Sequence, residues 1–171
     1  VGVSNYNGEE LKRACAILKS MGVRMLINQP RYSMLNRCFE DDTQQAVLDE
    51  KIGSICFCPL AEGLLTDKYF KGIPADSRAA SLSVFLSKET AQGMYVDVAR
   101  KLNVIAQERG QPLAQMALAW NLHNPAMTSV CIGASRPQQI LDNLGALKNL
   151  EFSDEELTRI NGLLRDVPPF R

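Results

Sequence analysis

Long apolar runs are missing from this sequence of 171 residues. No stretch approaches the ~20 residues a membrane-spanning helix requires, and no segment reads as a signal peptide. A surplus of one charge is missing too: 19 basic residues balance 19 acidic ones. That balance gives no support for a nucleic-acid partner or a polybasic membrane contact. Histidine is scarce, His123 being the only one. The 5 cysteines (Cys15, Cys38, Cys56, Cys58, Cys131) are odd in number and lack framework spacing, which predicts reduced thiols in a cytoplasm-like compartment. Cys56 and Cys58 would share one side of a strand, but no second cysteine pair completes a zinc set, so packing or pocket lining is the expectation.

What is there is an alternation of short apolar strands, polar turns and amphipathic helices, with 46% hydrophobic and 22% charged residues. Val1-Gly2-Val3 reads as the last part of a strand, so the sequence is expected to begin inside a fold. Asn7 caps a helix over 8–21, with Glu9 and Glu10 in its first turn and Gly22 after its end. Val23 to Ile27 reads as a second strand, Asp42 or Thr43 to Asp49 as a helix, and Gly53 to Phe57 as a continuously apolar third strand. Residues 60–88 break every period and read as a functional lid. Helix resumes over Thr90 to Arg109 with Met94, Val98, Leu102 and Ile105 inward. Another helix starts at Pro112 and ends near Asn124-Pro125. Then come a strand over 128–132 and a helix over 136–148, with Ile140, Leu141, Leu144 and Leu147 inward. Ser153-Asp154-Glu155-Glu156 is a capping box for a last helix. No linker or repeat divides the chain, which predicts one domain over 1–171.

Strands alternating with helices imply right-handed crossovers and a parallel sheet. Both an open doubly wound sheet and part of a (β/α)8 barrel satisfy that pattern, and a whole barrel needs about 250 residues. In either fold, ligands bind at the C-terminal ends of the strands. Four turns fall there: Ser4-Asn5, Asn28-Gln29, Cys58-Pro59-Leu60 and Ala134-Ser135-Arg136. The amides of Asn5, Asn28 and Gln29 suit a carboxamide partner, and Tyr32 could stack on a flat ring. At the fourth turn Ser135 can cap the helix and Pro137 suits its first turn. Helix-start N–H groups and the Arg136 guanidinium make a phosphate grip there.

These segments resemble a known family. Gly2-Val3-Ser4-Asn5-Tyr6, Asn28-Gln29-Pro30-Arg31-Tyr32, Pro59 to Tyr69 and Ile132-Gly133-Ala134-Ser135 look like aldo-keto reductases. The match is closest to the branch holding bacterial glyceraldehyde-3-phosphate-reducing enzymes and potassium-channel β subunits, and it runs the length of the chain. The resemblance implies the C-terminal half of a (β/α)8 TIM barrel with additional C-terminal helices. It also implies NADPH bound across the C-terminal face and reduction of small aldehydes or ketones. By the same resemblance, Ser4, Asn5 and Gln29 would hold the nicotinamide carboxamide and Tyr32 would stack on its ring. Phe57, Cys58, Pro59, Leu60, Gly63, Leu65 and Lys68 would surround the pyrophosphate, and Arg78 would lie near the adenosine phosphate. Gly133, Ser135, Arg136, Gln139 and Asn143 would grip the 2′-phosphate and adenine.

The family's acid–base chemistry uses an Asp, a Tyr, a Lys and a His from the first half of the barrel, and no residue here matches those positions. His123, at the end of an outer helix, is expected to be structural. The resemblance thus implies an inactive cofactor-binding fragment of a reductase, paired with an N-terminal half. The alternative is a non-catalytic half-barrel that associates with itself, or a nucleotide-sensing subunit like the channel β subunits. No catalytic or metal-binding residue is assigned in this chain.

Overall fold

A computed structural model describes residues 1–75, 77–80 and 86–171, with the Arg78 side chain outside the description. Four strands, β1 (Gly2–Ser4), β2 (Ile27–Gln29), β3 (Gly53–Phe57) and β4 (Ser129–Cys131), form one sheet in the order β1-β2-β3-β4. Every pairing is parallel. Helices α1 (Gly8–Ser20), α2 (Thr43–Glu50), α3 (Met94–Glu108), α4 (Leu113–His123), α5 (Pro137–Leu144) and α6 (Asp154–Leu164) connect the strands or follow them. This is an α/β unit with the strand order and crossovers of part of a (β/α)8 barrel.

Local chemistry sets the helix ends. At α1 the Asn7 side chain accepts from Glu10 N at 2.9 Å, and the Glu10 carboxylate accepts from Asn7 N at 3.0 Å. At α6 Ser153 and Glu156 make the same reciprocal pair at 3.2 and 2.7 Å. Gly22, at φ 69, takes the left-handed conformation that ends α1.

The alternation of side chains across the sheet separates its two faces. Asn28, Ser54 and Cys56 point towards the helices and are fully buried, and Cys56 joins a core with Leu11, Ala46, Leu102 and Met116. Burial pushes the Cys56 thiol up to about 12. Gln29, Ile55 and Phe57 lie on the other face and are half-buried, while Ser4 and Cys131 are exposed. Parallel sheets are as a rule covered on both faces; here the helix-facing side is packed and the other stays partly open.

Three expectations are corrected. The second strand is Ile27–Gln29 rather than Val23 to Ile27. The ladder selects the register in which Asn28 opposes Val3 and Ser54, placing in the strand the polar residues expected to form the turn after it. The helix expected over Thr90 to Arg109 splits into a short 3-10 turn, Thr90–Gln92, and α3, separated by the extended Gly93; Met94 then lies 45% exposed. The apolar residues of α5 and of the 3-10 turn after it (Gly145–Lys148) are not inward: Ile140, Leu141, Leu144 and Leu147 are 47%, 62%, 54% and 57% exposed. The backbone of α5 meets α4, where Gln115 Nε2 donates to the Asp142 carbonyl at 2.6 Å, and its leucines turn away from that contact.

Candidate functional site

The four strand-end turns lie along one edge of the sheet, where parallel pairing brings them side by side. At the first, Asn5 adopts φ 57, a left-handed conformation that asparagine tolerates. Its N–H donates to the Gln29 carbonyl at 3.1 Å, and its Oδ1 accepts from Arg31 N at 3.1 Å. Ser4 Oγ donates to the same Gln29 carbonyl at 2.9 Å. Ser4 and Gln29 are register partners, so their side chains share the open face. One row further on, Arg31 bridges Phe57 and its guanidinium lies 5.2 Å from the Phe57 ring centroid. The structure thus brings together Ser4, Asn5, Gln29 and Phe57.

The third turn is strained. Cys58, Ala61 and Glu62 have φ of 55, 47 and 59, none of them glycine. Such conformations persist only where the surroundings enforce them. Backbone bonds from Ala61 N to Cys58 O (2.9 Å) and from Gly63 N to Leu60 O (2.9 Å) close the turn. Beneath it, the buried Asn121 donates to the Pro59 carbonyl at 3.3 Å. Cys58, Leu60 and Gly63 are half-buried around this turn, and Pro59 is buried. Lys68 is exposed, its ammonium 5.9 Å from the Tyr69 ring centroid.

At the fourth turn the N-cap of α5 is Arg136, not Ser135. Ser135 instead helps to enclose the amide of Gln139. Gln139 Oε1 accepts from Ser135 N at 2.8 Å, from Ser135 Oγ at 3.2 Å and from Arg136 N at 3.2 Å. Three donors therefore converge on one oxygen at the head of a helix, an arrangement suited to an anionic oxygen. Gly133, Ser135, Arg136 and Gln139 are exposed and Asn143 is half-buried.

Two of the assigned residues lie in the core, away from this open face. Tyr32 is 1% exposed, stacked on Trp120 at 5.3 Å and tilted against Phe39 at 5.3 Å. Its hydroxyl donates to Glu40 Oε1 at 2.8 Å and accepts from Asn124 Nδ2 at 3.0 Å. Burial beside the Glu40 carboxylate raises its pKa. The ring is a core member with no surface for a planar ligand; the aromatic on the open face is Phe57. Leu65 is also fully buried, and its N–H is bonded to the Leu60 carbonyl, so it packs beneath the third turn. The Arg78 assignment falls on a side chain outside the described residues. His123 is exposed and meets Phe152 edge-on at 5.5 Å.

Sequence reasoning missed Arg31 and Glu62. Both stood in quoted strand-end segments, but Arg31 next to a proline and Glu62 within an Ala-Glu-Gly run carried no periodic signal.

The row of polar turns, the strained turn after β3 and the three donors gathered before α5 lie at the strand ends of a (β/α) barrel segment. A sequence model of the Aldo/keto reductase family matches residues 1–165. The chain belongs to this family of oxidoreductases. It is 41% identical over 170 residues to L-glyceraldehyde 3-phosphate reductase of Escherichia coli (strain K12), covering 97% of this chain and 49% of that protein. It is 32% identical over 173 residues to a putative voltage-gated potassium channel subunit beta of Schizosaccharomyces pombe, covering 98% and 50%. With a probable channel subunit beta of Oryza sativa subsp. japonica it shares 33% over 175 residues, covering 98% and 52%. The chain therefore spans about half the length of the curated relatives it matches.

Proposed function

We propose that this chain is the cofactor-binding, C-terminal half of an NADPH-dependent reductase of small aldehydes or ketones. The observation that carries the reading is the convergence of Ser135 N, Ser135 Oγ and Arg136 N on one oxygen. An amide oxygen of this chain fills a place whose donors fit a phosphate oxygen, and Arg136 adds the charge that selects a 2′-phosphate. At the other end of the row, Ser4, Asn5 and Gln29 offer donors and acceptors to a carboxamide, with Phe57 beside them for the flat ring. Cys58, Leu60 and Gly63 hold the turn between the two ends, and Lys68 and Arg78 bring cations to the same stretch of chain. When bound, the nicotinamide supplies the hydride. The chain's own residues orient its ring and hold its phosphates, and by the family resemblance the acid–base groups are assigned to the first half of the barrel. The reduced thiols fit a cytoplasmic setting. Among the described residues no helix is long and apolar enough to cross a membrane.

The test is equilibrium binding of NADPH and NADH to wild type and Arg136→Ala. A larger loss for NADPH supports the reading, and equal losses refute it.

The exposed leucine face of α5 favours a second reading, a non-catalytic half-barrel that pairs with itself. An exposed apolar helix face is a surface that associates.

A further inference from the structure

Arg31 sits at a junction of three strand-end turns. Its N–H donates to Asn5 Oδ1 at 3.1 Å, and its guanidinium lies 5.2 Å from the centroid of Phe57. Its Nη1 stands 3.9 Å from Glu62 Oε1, in the strained turn after β3. The Arg31 side chain is 27% exposed and that of Glu62 only 5%. A carboxylate so far removed from water needs a cation nearby. Arg31 Nη1 is itself buried without a hydrogen bond, so this atom is committed to Glu62 by charge alone. Alternation along the chain beyond β2 puts Gln29 and Arg31 on the same open face, with Arg31 one row nearer the strand ends.

From this placement we infer that Arg31 and Glu62 act together as the positioning pair for the nicotinamide end of the cleft. The Arg31 backbone N–H holds the Asn5 turn, while its guanidinium lies over Phe57 and draws the left-handed Glu62 towards it. The pair keeps a strained turn in the single conformation that a flat ring and its carboxamide can enter. The adenosine end, at Ser135 and Arg136, lies on a different element and does not depend on it. This inference rests on the proposed cofactor reading and adds to it the residues that shape its nicotinamide half.

Two probes separate the halves: NADP⁺, and 2′,5′-ADP, which lacks the nicotinamide. With the 171-residue chain, Arg31→Met is expected to raise the Kd for NADP⁺ about tenfold, within the range of coupled neighbours, and to leave 2′,5′-ADP within about twofold. Glu62→Gln is expected to behave likewise, and the double variant to be no weaker than the worse single one. Arg31→Lys, which keeps the charge facing Glu62, is expected to recover most of the loss and also serves if Arg31→Met fails to fold. Equal losses for both probes, no loss for NADP⁺, additive losses in the double variant, or no recovery by lysine would overturn the inference while 2′,5′-ADP binding upheld the cofactor reading. Failure of wild type to bind either probe would overturn both.

Discussion

The side-chain oxygen of Gln139 lies 2.8 Å from the backbone nitrogen of Ser135, inside the pocket that a phosphate oxygen would enter. Gln139 itself satisfies these donors, and under the proposed reading a ligand phosphate displaces it or shares the donors with it.

Replacing that amide by a carboxylate keeps the shape and adds a charge. Gln139→Glu is expected to weaken 2′,5′-ADP binding by about tenfold, or about 1.4 kcal/mol, while 5′-ADP, which lacks the 2′-phosphate, changes little. Calorimetric titration with the two nucleotides makes the comparison. Equal effects on both would place the 2′-phosphate elsewhere.

Arg136→Ala is expected to cost NADPH more than NADH by about 1.5–3 kcal/mol, the range of a hydrogen bond to a charged group. The selectivity ratio from fluorescence titration is the quantity to follow. An unchanged ratio removes Arg136 from cofactor selection.

The α5 face gives a prediction about association. If Leu141 and Leu144 mediate self-pairing, the 171-residue chain sediments above its monomer mass at micromolar concentrations, and Leu141→Glu/Leu144→Glu returns it to 18.9 kDa. A wild-type monomer at every concentration would dispose of the self-pairing reading.

Much of this was legible in sequence because it is local. The capping pairs Asn7–Glu10 and Ser153–Glu156, the Gly22 stop and the parallel alternation all follow from residues within a turn of one another. What was not legible depends on neighbours far along the chain. Tyr32 reads as an aromatic beside a strand end, and only Trp120 and Asn124, some ninety positions away, reveal it as core. The leucines of α5 have the spacing of a buried stripe, but a stripe does not say whether its cover lies within the same 171 residues. Polar Asn28 stood inside a strand because register, not composition, decides which residues pair. At the site, Ser135, Arg136 and the Ser4-Asn5 turn were visible as turn chemistry, whereas the Arg31–Glu62 pair needed the fold to bring two turns together.

Stability has its own test at Arg109. Its side chain is 3% exposed, donates to Glu156 at 2.7 Å and to the Glu151 carbonyl at 2.8 Å, and lies 3.8 Å from the Phe152 ring centroid. It fastens α6 to the end of α3. Arg109→Ala is expected to cost about 3 kcal/mol, the scale of breaking a mostly buried pair, read by urea unfolding.

The partner carboxylate predicts a pH dependence. Partial burial works against ionisation of Glu156, but the Ser153 N–H and Arg109 outweigh it and hold the carboxyl below its usual range. A lowered folded pKa contributes stability that is present above the unfolded value and is lost as pH falls through the folded one. The Tm difference between wild type and Glu156→Gln is therefore expected to be full at neutral pH and to shrink below about pH 4. A difference that stays constant into acid would show that charge plays no part there.

In the proposed binding mode a dinucleotide lies along the strand-end edge with its 2′-phosphate at Ser135 and Arg136. Backbone amide shifts of the 171-residue chain, titrated with 2′,5′-ADP and then with NADP⁺, test it most directly. With this binding mode 2′,5′-ADP is expected to move Ser135, Arg136, Gln139 and Asn143, and NADP⁺ to move Asn5, Gln29 and Phe57 as well. Shifts confined to the helix-covered side of the sheet, or no difference between the two ligands at Asn5 and Gln29, would contradict it.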